Sequence, residues 1–279
     1  MIHFISGFPR SGSTLLCGLL AQNPANHVTA TNDLVDLMAS VRNQWTNCEG
    51  FIAQGIDSLK PRIRSLLRGM LDGFYAQEFA ADKTVFDKSR GWIGFIDLLE
   101  NVLERKVKVI VTVRDIPSIC ASLEKLHFDN ALSAPSRSPQ QQIKGSHARG
   151  RCEQYLSEDA MTGMFINRWR NALERGWGDR MIVVPYKELI ADPVGIVRRI
   201  HIDCGLEPFV CNPLKVEKAA PEDDNVRKLP FHTLRESVDA TAMNRGQDVL
   251  PPDVREWLTE DFPIVNRFAT GAYTNGIGA

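Results

Sequence analysis

The sequence predicts an α/β fold: a parallel β-sheet flanked by helices, built as a single domain over residues 1–279. Three observations predict it. The apolar run at residues 2–5 leads into a glycine-bounded turn at 7–14 and out into a second apolar run at 15–20, the pattern of strand, tight loop and helix. Residues 106–113 hold Val107, Val109, Ile110, Val111 and Val113, close to the continuous β-branched run of a strand covered on both faces. Further runs of this kind alternate with helical patterns, and a parallel strand needs such a crossover before the next one can pair beside it.

After the first helix, residues 32–41 and 51–79 carry apolar side chains at three- and four-residue spacing, among them Leu34, Leu37, Met38 and Val41, then Ile63, Leu66, Leu67, Met70, Leu71 and Phe74. These read as helices. Residues 84–87 are β-prone, and Ile93, Ile96, Leu98, Leu99, Val102 and Leu103 restore the helical period. Beyond the strand at 106–113, Pro117 fits the first turn of a helix, where a missing N–H costs little. Residues 128–151 are rich in Ser, Pro, Gln, Arg and Gly, and read as a flexible loop or lid. A helix over 152–175 and a strand over 180–184 follow, the latter ending at Pro185-Tyr186. Residues 193–206 read as a helix, and beyond Glu207 prolines and mixed charges predict an irregular C-terminal wrap.

A chain of 279 residues with 43% hydrophobic residues can bury a substantial core. Its 33 Lys and Arg nearly balance 34 Asp and Glu, so net charge points to neither nucleic acid nor a membrane surface as partner. Only six residues precede the loop-forming segment and no apolar run reaches membrane-spanning length, so we expect a soluble, cytoplasmic protein. The six cysteines form no C-x-x-C pair and no zinc-type grouping, which suits reduced thiols and no metal site. Cys17 and Cys120 read as small buried residues.

The 7–14 turn, Gly7-Phe8-Pro9-Arg10-Ser11-Gly12-Ser13-Thr14, follows the spacing of a phosphate-binding loop but places Ser13 where the Walker lysine would stand. The P-loop-like cradle for an anion remains, with backbone N–H groups, the hydroxyls of Ser11, Ser13 and Thr14, and the Arg10 guanidinium. The lysine's grip on a triphosphate does not. A second element, Val113-Arg114-Asp115 with Ser122 on the following helix, puts a strand-end arginine and a hydroxyl within reach of one phosphate. Read alone, it equally describes a capped helix with an Arg114–Asp115 surface pair.

Together the lysine-less loop and the Arg114…Ser122 pair resemble the two cofactor motifs of the sulfotransferase family, closest to its bacterial and tyrosylprotein branch. The resemblance spans residues 2–206 in order, and it implies the same α/β fold and transfer of a sulfuryl group from 3′-phosphoadenosine-5′-phosphosulfate. Carried across, Arg10, Ser11, Gly12, Ser13 and Thr14 bind the 5′-phosphosulfate, and Arg114 and Ser122 the 3′-phosphate. Tyr186 resembles the family's strand-end tyrosine beside the nucleotide. It also reads as a half-buried aromatic.

The catalytic assignments follow the same resemblance. Lys88, at the end of the third β-prone run, resembles the strand-end lysine that stabilises the leaving phosphate, with Ser89 and Arg90 as nearby substitutes and a solvated turn lysine as the plain alternative. Asp33 resembles the carboxylate base and reads equally well as an acid in the first turn of the helix at 34–41. His27 and His232 are the other candidates for a base, and Trp92 either stacks on adenine or fills the core. Basic residues at 226–235 are placed to close over the 3′-phosphate. No metal is required, and the acceptor is a hydroxyl of a small molecule or peptide; carbohydrate and lipid hydroxyls stay open, as does the oligomeric state. Two other readings fit the loop: a nucleotide-dependent kinase whose lysine arrives from elsewhere, such as Lys88, and a non-catalytic adenosine-bisphosphate-binding protein.

Overall fold

A computed structural model describes residues 1–129, 147–220, 236–239 and 248–271. Five strands form one parallel sheet in the order β2-β3-β1-β4-β5: β1 (Ile2–Gly7), β2 (Asn26–Thr31), β3 (Thr84–Lys88), β4 (Val109–Val113) and β5 (Met181–Pro185). β1 lies in the centre, and the chain leaves it toward one edge and leaves β4 toward the other. Ligands in open α/β sheets collect at such a reversal, beyond the carboxyl ends of the strands. Register carries specific residues there: Ile5 pairs with Lys88, Gly7 with Thr112 and Val113 with Pro185.

The strands are apolar throughout because both faces are covered, and alternation divides their side chains between two cores. Phe4, Val85, Val109, Val111 and Val113 face one layer, with α2 (Leu34–Gln44), α4 (Ile56–Phe74), α6 (Ile96–Leu103), α7 (Ile116–Asp129) and α9 (Met161–Glu174). Ile5, Phe86, Ile110, Ile182 and Val184 face the other, packed on α1 (Ser13–Leu20) and α11 (Pro193–Asp203). All six cysteines are free thiols, and Cys17 and Cys120 are buried.

The structure departs from the sequence expectation in five places. β2 is a strand where none was expected, because its polar residues find partners inside the fold: Asn26 Nδ2 donates to the Leu20 carbonyl at 2.9 Å, and Thr29 Oγ1 accepts from the Lys88 N–H at 2.9 Å. The helical stretch at 51–79 breaks at Gly55, whose φ of 86° suits glycine, and again at Tyr75; the pieces are α3 (Glu49–Gln54), α4 and α5 (Ala76–Ala80). The helix expected over 152–175 begins earlier and splits at Ser157, whose extended ψ of 153° ends α8 (Ala148–Leu156) before α9 begins. The expected loop or lid at 128–151 is trimmed at both ends, since 128–129 close α7 and 148–151 open α8; residues 130–146 lie outside the described residues. The expected irregular wrap contains α12 (Pro252–Asp261) and α13 (Pro263–Ala269), each with proline at its first turn, and Val254, Leu258, Val265 and Phe268 join the first core.

Between α7 and α8 lies a buried ion pair. Glu124 is fully buried and takes Arg151 Nε at 2.9 and 3.0 Å and a terminal guanidinium nitrogen at 2.6 Å, with the Tyr155 hydroxyl donating at 2.8 Å. Removing one partner of such a pair leaves a buried charge and typically costs about 3–5 kcal/mol. The pair therefore fixes α7, the helix that carries Ser122.

His3 on β1 is buried against Phe86, with ring centroids 5.3 Å apart, and among the described residues its Nε2 has no hydrogen-bond partner. Burial, aided by Arg105, the N-terminus and His201, lowers its pKa from 6.5 to about 4. The neutral ring is thus the folded form, while the unfolded chain takes up a proton below pH 6.5. The stability it contributes is complete above that pH and is lost as pH falls toward 4; at about 1.4 kcal/mol per pH unit the loss is roughly 3 kcal/mol. Replacing His3 with leucine is expected to flatten the fall in unfolding free energy across this window in denaturant titrations. An equal fall in the variant would place the acid sensitivity elsewhere.

Candidate active site

The 7–14 loop sits directly on β4. A Cβ at Gly7 would collide with Thr112 Oγ1 and lie 2.9 Å from the Thr112 carbonyl oxygen, so only glycine permits this approach. The Phe8 N–H donates to that carbonyl at 3.0 Å. Ser11 is fully buried, and its Oγ bonds both the Phe8 carbonyl and Thr112 Oγ1 at 2.6 Å. The Ser11 hydroxyl thus shapes the loop from within, bonded to Phe8 and Thr112. Arg10 at φ 60° and Gly12 at φ 87° both adopt left-handed backbone, uncommon for arginine. They turn the chain into α1, whose N-terminus receives no side-chain cap. Its first-turn N–H groups and dipole favour an anion there.

The second motif closes on the first. Arg10 Nε donates to Ser122 Oγ at 3.0 Å, and a guanidinium nitrogen of Arg114 donates to the Arg10 carbonyl at 3.0 Å. Arg114 is buried and stacks over the Tyr186 ring, 4.4 Å from its centroid. Burial lowers its pKa while Tyr186 and Asp115 act in the opposite sense, and a guanidinium stays charged regardless. Tyr186 begins α10 (Tyr186–Ala191), and its ring lies where a Cβ on Gly12 would fall, 2.8 Å from Cδ2. Asp115 does not pair with Arg114 at the surface; it caps α7 by accepting from the Ser118 N–H at 2.9 Å. Asn266 of α13 accepts from the Ile116 N–H at 2.9 Å, so the C-terminal helices also locate this corner.

On the other side of the loop, Lys88 is buried at the end of β3 and donates from Nζ to Thr14 Oγ1 at 3.2 Å. Its carbonyl accepts from the Asn32 N–H at 3.1 Å. Beneath it the fully buried Asp87 accepts from the Tyr75 hydroxyl at 2.5 Å and Trp92 Nε1 at 2.8 Å, while Asn32 Nδ2 donates to the Tyr75 oxygen at 3.0 Å. Burial raises the Asp87 pKa, and these hydrogen bonds pull it partly back. Trp92 is therefore a core residue with its N–H engaged, which removes it as an adenine platform. Asp33 stands exposed before α2 without a capping bond; Asn32 Oδ1 takes the Leu34 N–H instead, at 3.0 Å.

His27 faces Glu78 at 3.7 Å on the edge strand, Ser89 accepts from the Gly91 N–H at 3.4 Å, and the Arg90 carbonyl accepts from Ser6 at 3.1 Å. His232 and the basic residues at 226–235 lie outside the described residues. Thr29, Asn32, Tyr75 and Thr112 support the site although no motif singles them out. Thr112 leaves one trace in the sequence, a lone polar residue inside an apolar strand. Among the described residues no acidic, histidine or cysteine cluster could hold a metal ion, and no helix is long and apolar enough to cross a membrane.

A model of the sulfotransferase family matches residues 3–209. The chain belongs to the sulfotransferase family. This sulfotransferase shares its fold with two solved structures. One is the sulfotransferase domain from the Synechococcus PCC 7002 olefin synthase, with a TM-score of 0.52 and 19% identity over 94% of each chain. The other is the sulfotransferase domain from the curacin biosynthetic pathway, with a TM-score of 0.52 and 16% identity over 94% of this chain and 97% of that one. No curated protein sequence matches significantly. Family membership makes the chain a transferase, and the two motifs recognised in its sequence lie side by side at the carboxyl edge of its sheet.

Gly12 offers a direct check on the closure between loop and tyrosine. Gly12→Ala places a Cβ against Tyr186 and a side chain at φ 87°. The variant is expected to lose about 1–3 kcal/mol of stability and most anion binding at the loop, read by thermal melts with and without nucleotide. An unchanged melt and an unchanged ligand shift would show that Tyr186 does not close on the loop.

Proposed function

We propose that this sulfotransferase moves the sulfuryl group of 3′-phosphoadenosine-5′-phosphosulfate to a hydroxyl of a small molecule or peptide, releasing adenosine 3′,5′-bisphosphate. The observation that carries the reading is the junction of Arg10, Arg114, Ser122 and Tyr186 beside a loop that has serine in the Walker lysine position. A loop of this kind suits a phosphosulfate, which lacks the β- and γ-phosphates that lysine and magnesium serve. Arg114 and Ser122 hold the 3′-phosphate, and Tyr186 lines the nucleoside. The backbone of residues 10–14, with the hydroxyls of Ser13 and Thr14, holds the 5′ end.

In the proposed step the acceptor oxygen attacks sulfur in line. The bond from sulfur to the bridging oxygen breaks, and its electron pair stays on the 5′-phosphate. Lys88, beside Thr14, offsets that charge, and Asp33 takes the acceptor proton. The products are a sulfated acceptor, adenosine 3′,5′-bisphosphate and one proton. Fixed cations act where charge develops, which is the most effective place for them. The chain's own residues supply both cation and base, so the scheme calls for no metal.

One contact favours a second reading. The Lys88 ammonium at Thr14 Oγ1 would also suit a kinase that brings its lysine from a neighbouring strand. The two readings separate in one experiment, because a ligand that binds only the folded protein raises its melting temperature. Adenosine 3′,5′-bisphosphate is expected to stabilise the protein more than ATP with magnesium; the reverse order would favour the kinase. Arg114→Ala is expected to weaken adenosine 3′,5′-bisphosphate by roughly 10- to 100-fold, as for loss of a charge-assisted hydrogen bond, and to leave adenosine 5′-phosphate nearly unchanged. Equal losses for both nucleotides would remove Arg114 from the 3′-phosphate. In the same assay Asp33→Asn should keep nucleotide binding and lose turnover.

A further inference from the structure

Beside the loop, on the side away from Arg114, lies a cavity of about 10 Å³. Thr14, Thr29 and Lys88 form one wall, and residues 218–220 form the other. Such a volume admits about one water-sized group, the size of a single oxygen. Among the described residues two lysines, Lys88 and Lys218, line it, and no carboxylate does. A small, partly desolvated space lined by two lysines suits an anionic oxygen, whose charge both offset.

The wall that brings Lys218 is held in place by the body of the protein. Gln22, just past α1, accepts from the Asn212 N–H at 2.6 Å and donates to the Asn212 and Lys215 carbonyls at 3.0 and 2.8 Å. Val216 is buried, and its N–H donates to the Glu236 carbonyl at 2.6 Å, while the Val238 N–H donates to the Pro213 carbonyl at 2.8 Å. Ala219 packs against the second core. The neighbouring Glu217 is occupied by Lys215 at 3.3 Å, and among the described residues Lys218 forms no ion pair.

We propose that Lys218 is a second cation on the 5′ phosphorus–sulfur group of the donor, opposite Lys88. This rests on the donor reading above. When the bond from sulfur to the bridging oxygen breaks and its electron pair passes to the phosphate, Lys218 faces the same growing charge as Lys88 and transfers no proton. It is a contact that begins with the ground-state 5′-phosphate and strengthens as the leaving group forms.

The experiment needs no acceptor. Binding of adenosine 3′,5′-bisphosphate and of adenosine 3′-phosphate, which lacks the 5′ group, is measured by calorimetry for the unmodified protein, Lys218→Ala and Lys218→Arg. Lys218 is exposed, so truncation leaves the fold intact. Lys218→Ala is expected to weaken the bisphosphate about 10-fold and leave adenosine 3′-phosphate unchanged, with Lys218→Arg restoring most of the loss. A bisphosphate that binds the unmodified protein and Lys218→Ala equally well would overturn the assignment of Lys218 alone, as would equal weakening of both nucleotides. A bisphosphate that fails to bind the unmodified protein would overturn the donor reading and Lys218 with it.

Discussion

Everything at the carboxyl edge of the sheet depends on how closely the 7–14 loop lies on β4. Gly7 admits the Thr112 side chain where any Cβ would stand, and Ser11 then locks the loop from inside through Phe8 and Thr112. With that seat fixed, the left-handed turns at Arg10 and Gly12 aim one arginine at Ser122 and leave room for one tyrosine ring. A loop displaced by a methyl group would lose both relations together. Interiors packed at crystal-like density have no slack to absorb such a shift.

Two buried polar networks hold the functional side chains, one on each flank. Asp87, Tyr75, Trp92 and Asn32 fix the end of β3 under Lys88, and Glu124, Arg151 and Tyr155 fix α7 under Ser122. In both, a carboxylate is stripped of water and repaid with several hydrogen bonds, the condition under which a buried charge is tolerable. Such networks are weak arguments for stability but strong ones for geometry, since they are satisfied in a single arrangement. Lys88 and the helix that carries Ser122 are therefore held by the fold itself, the preorganisation that the proposed catalysis by fixed charge requires.

The sheet was largely legible because its inner strands are written in β-branched residues and its loop in glycines, and both signals are local. The pairing of the two motifs was legible by resemblance, since Arg114 and Ser122 carry no signal alone. β2 was not, because Asn26 and Thr29 are made strand-worthy by partners far away in sequence. The inward bonds of Ser11 were not legible for a related reason: nothing in an anion loop's sequence says that Thr112 lies against it. The prolines at 252 and 263 were read as signs of irregularity when they open helices, a matter of which side of proline one reads. At Trp92 the core alternative holds, because a buried acid claims its N–H.

The Glu124–Arg151 pair joins α7 to α8 on either side of residues 130–146. Because the two helices are bound to each other directly, the seating of Ser122 has an anchor of its own beside the chain that links them. A clasp of this kind makes the corner proposed to hold the donor move as one piece with both helices.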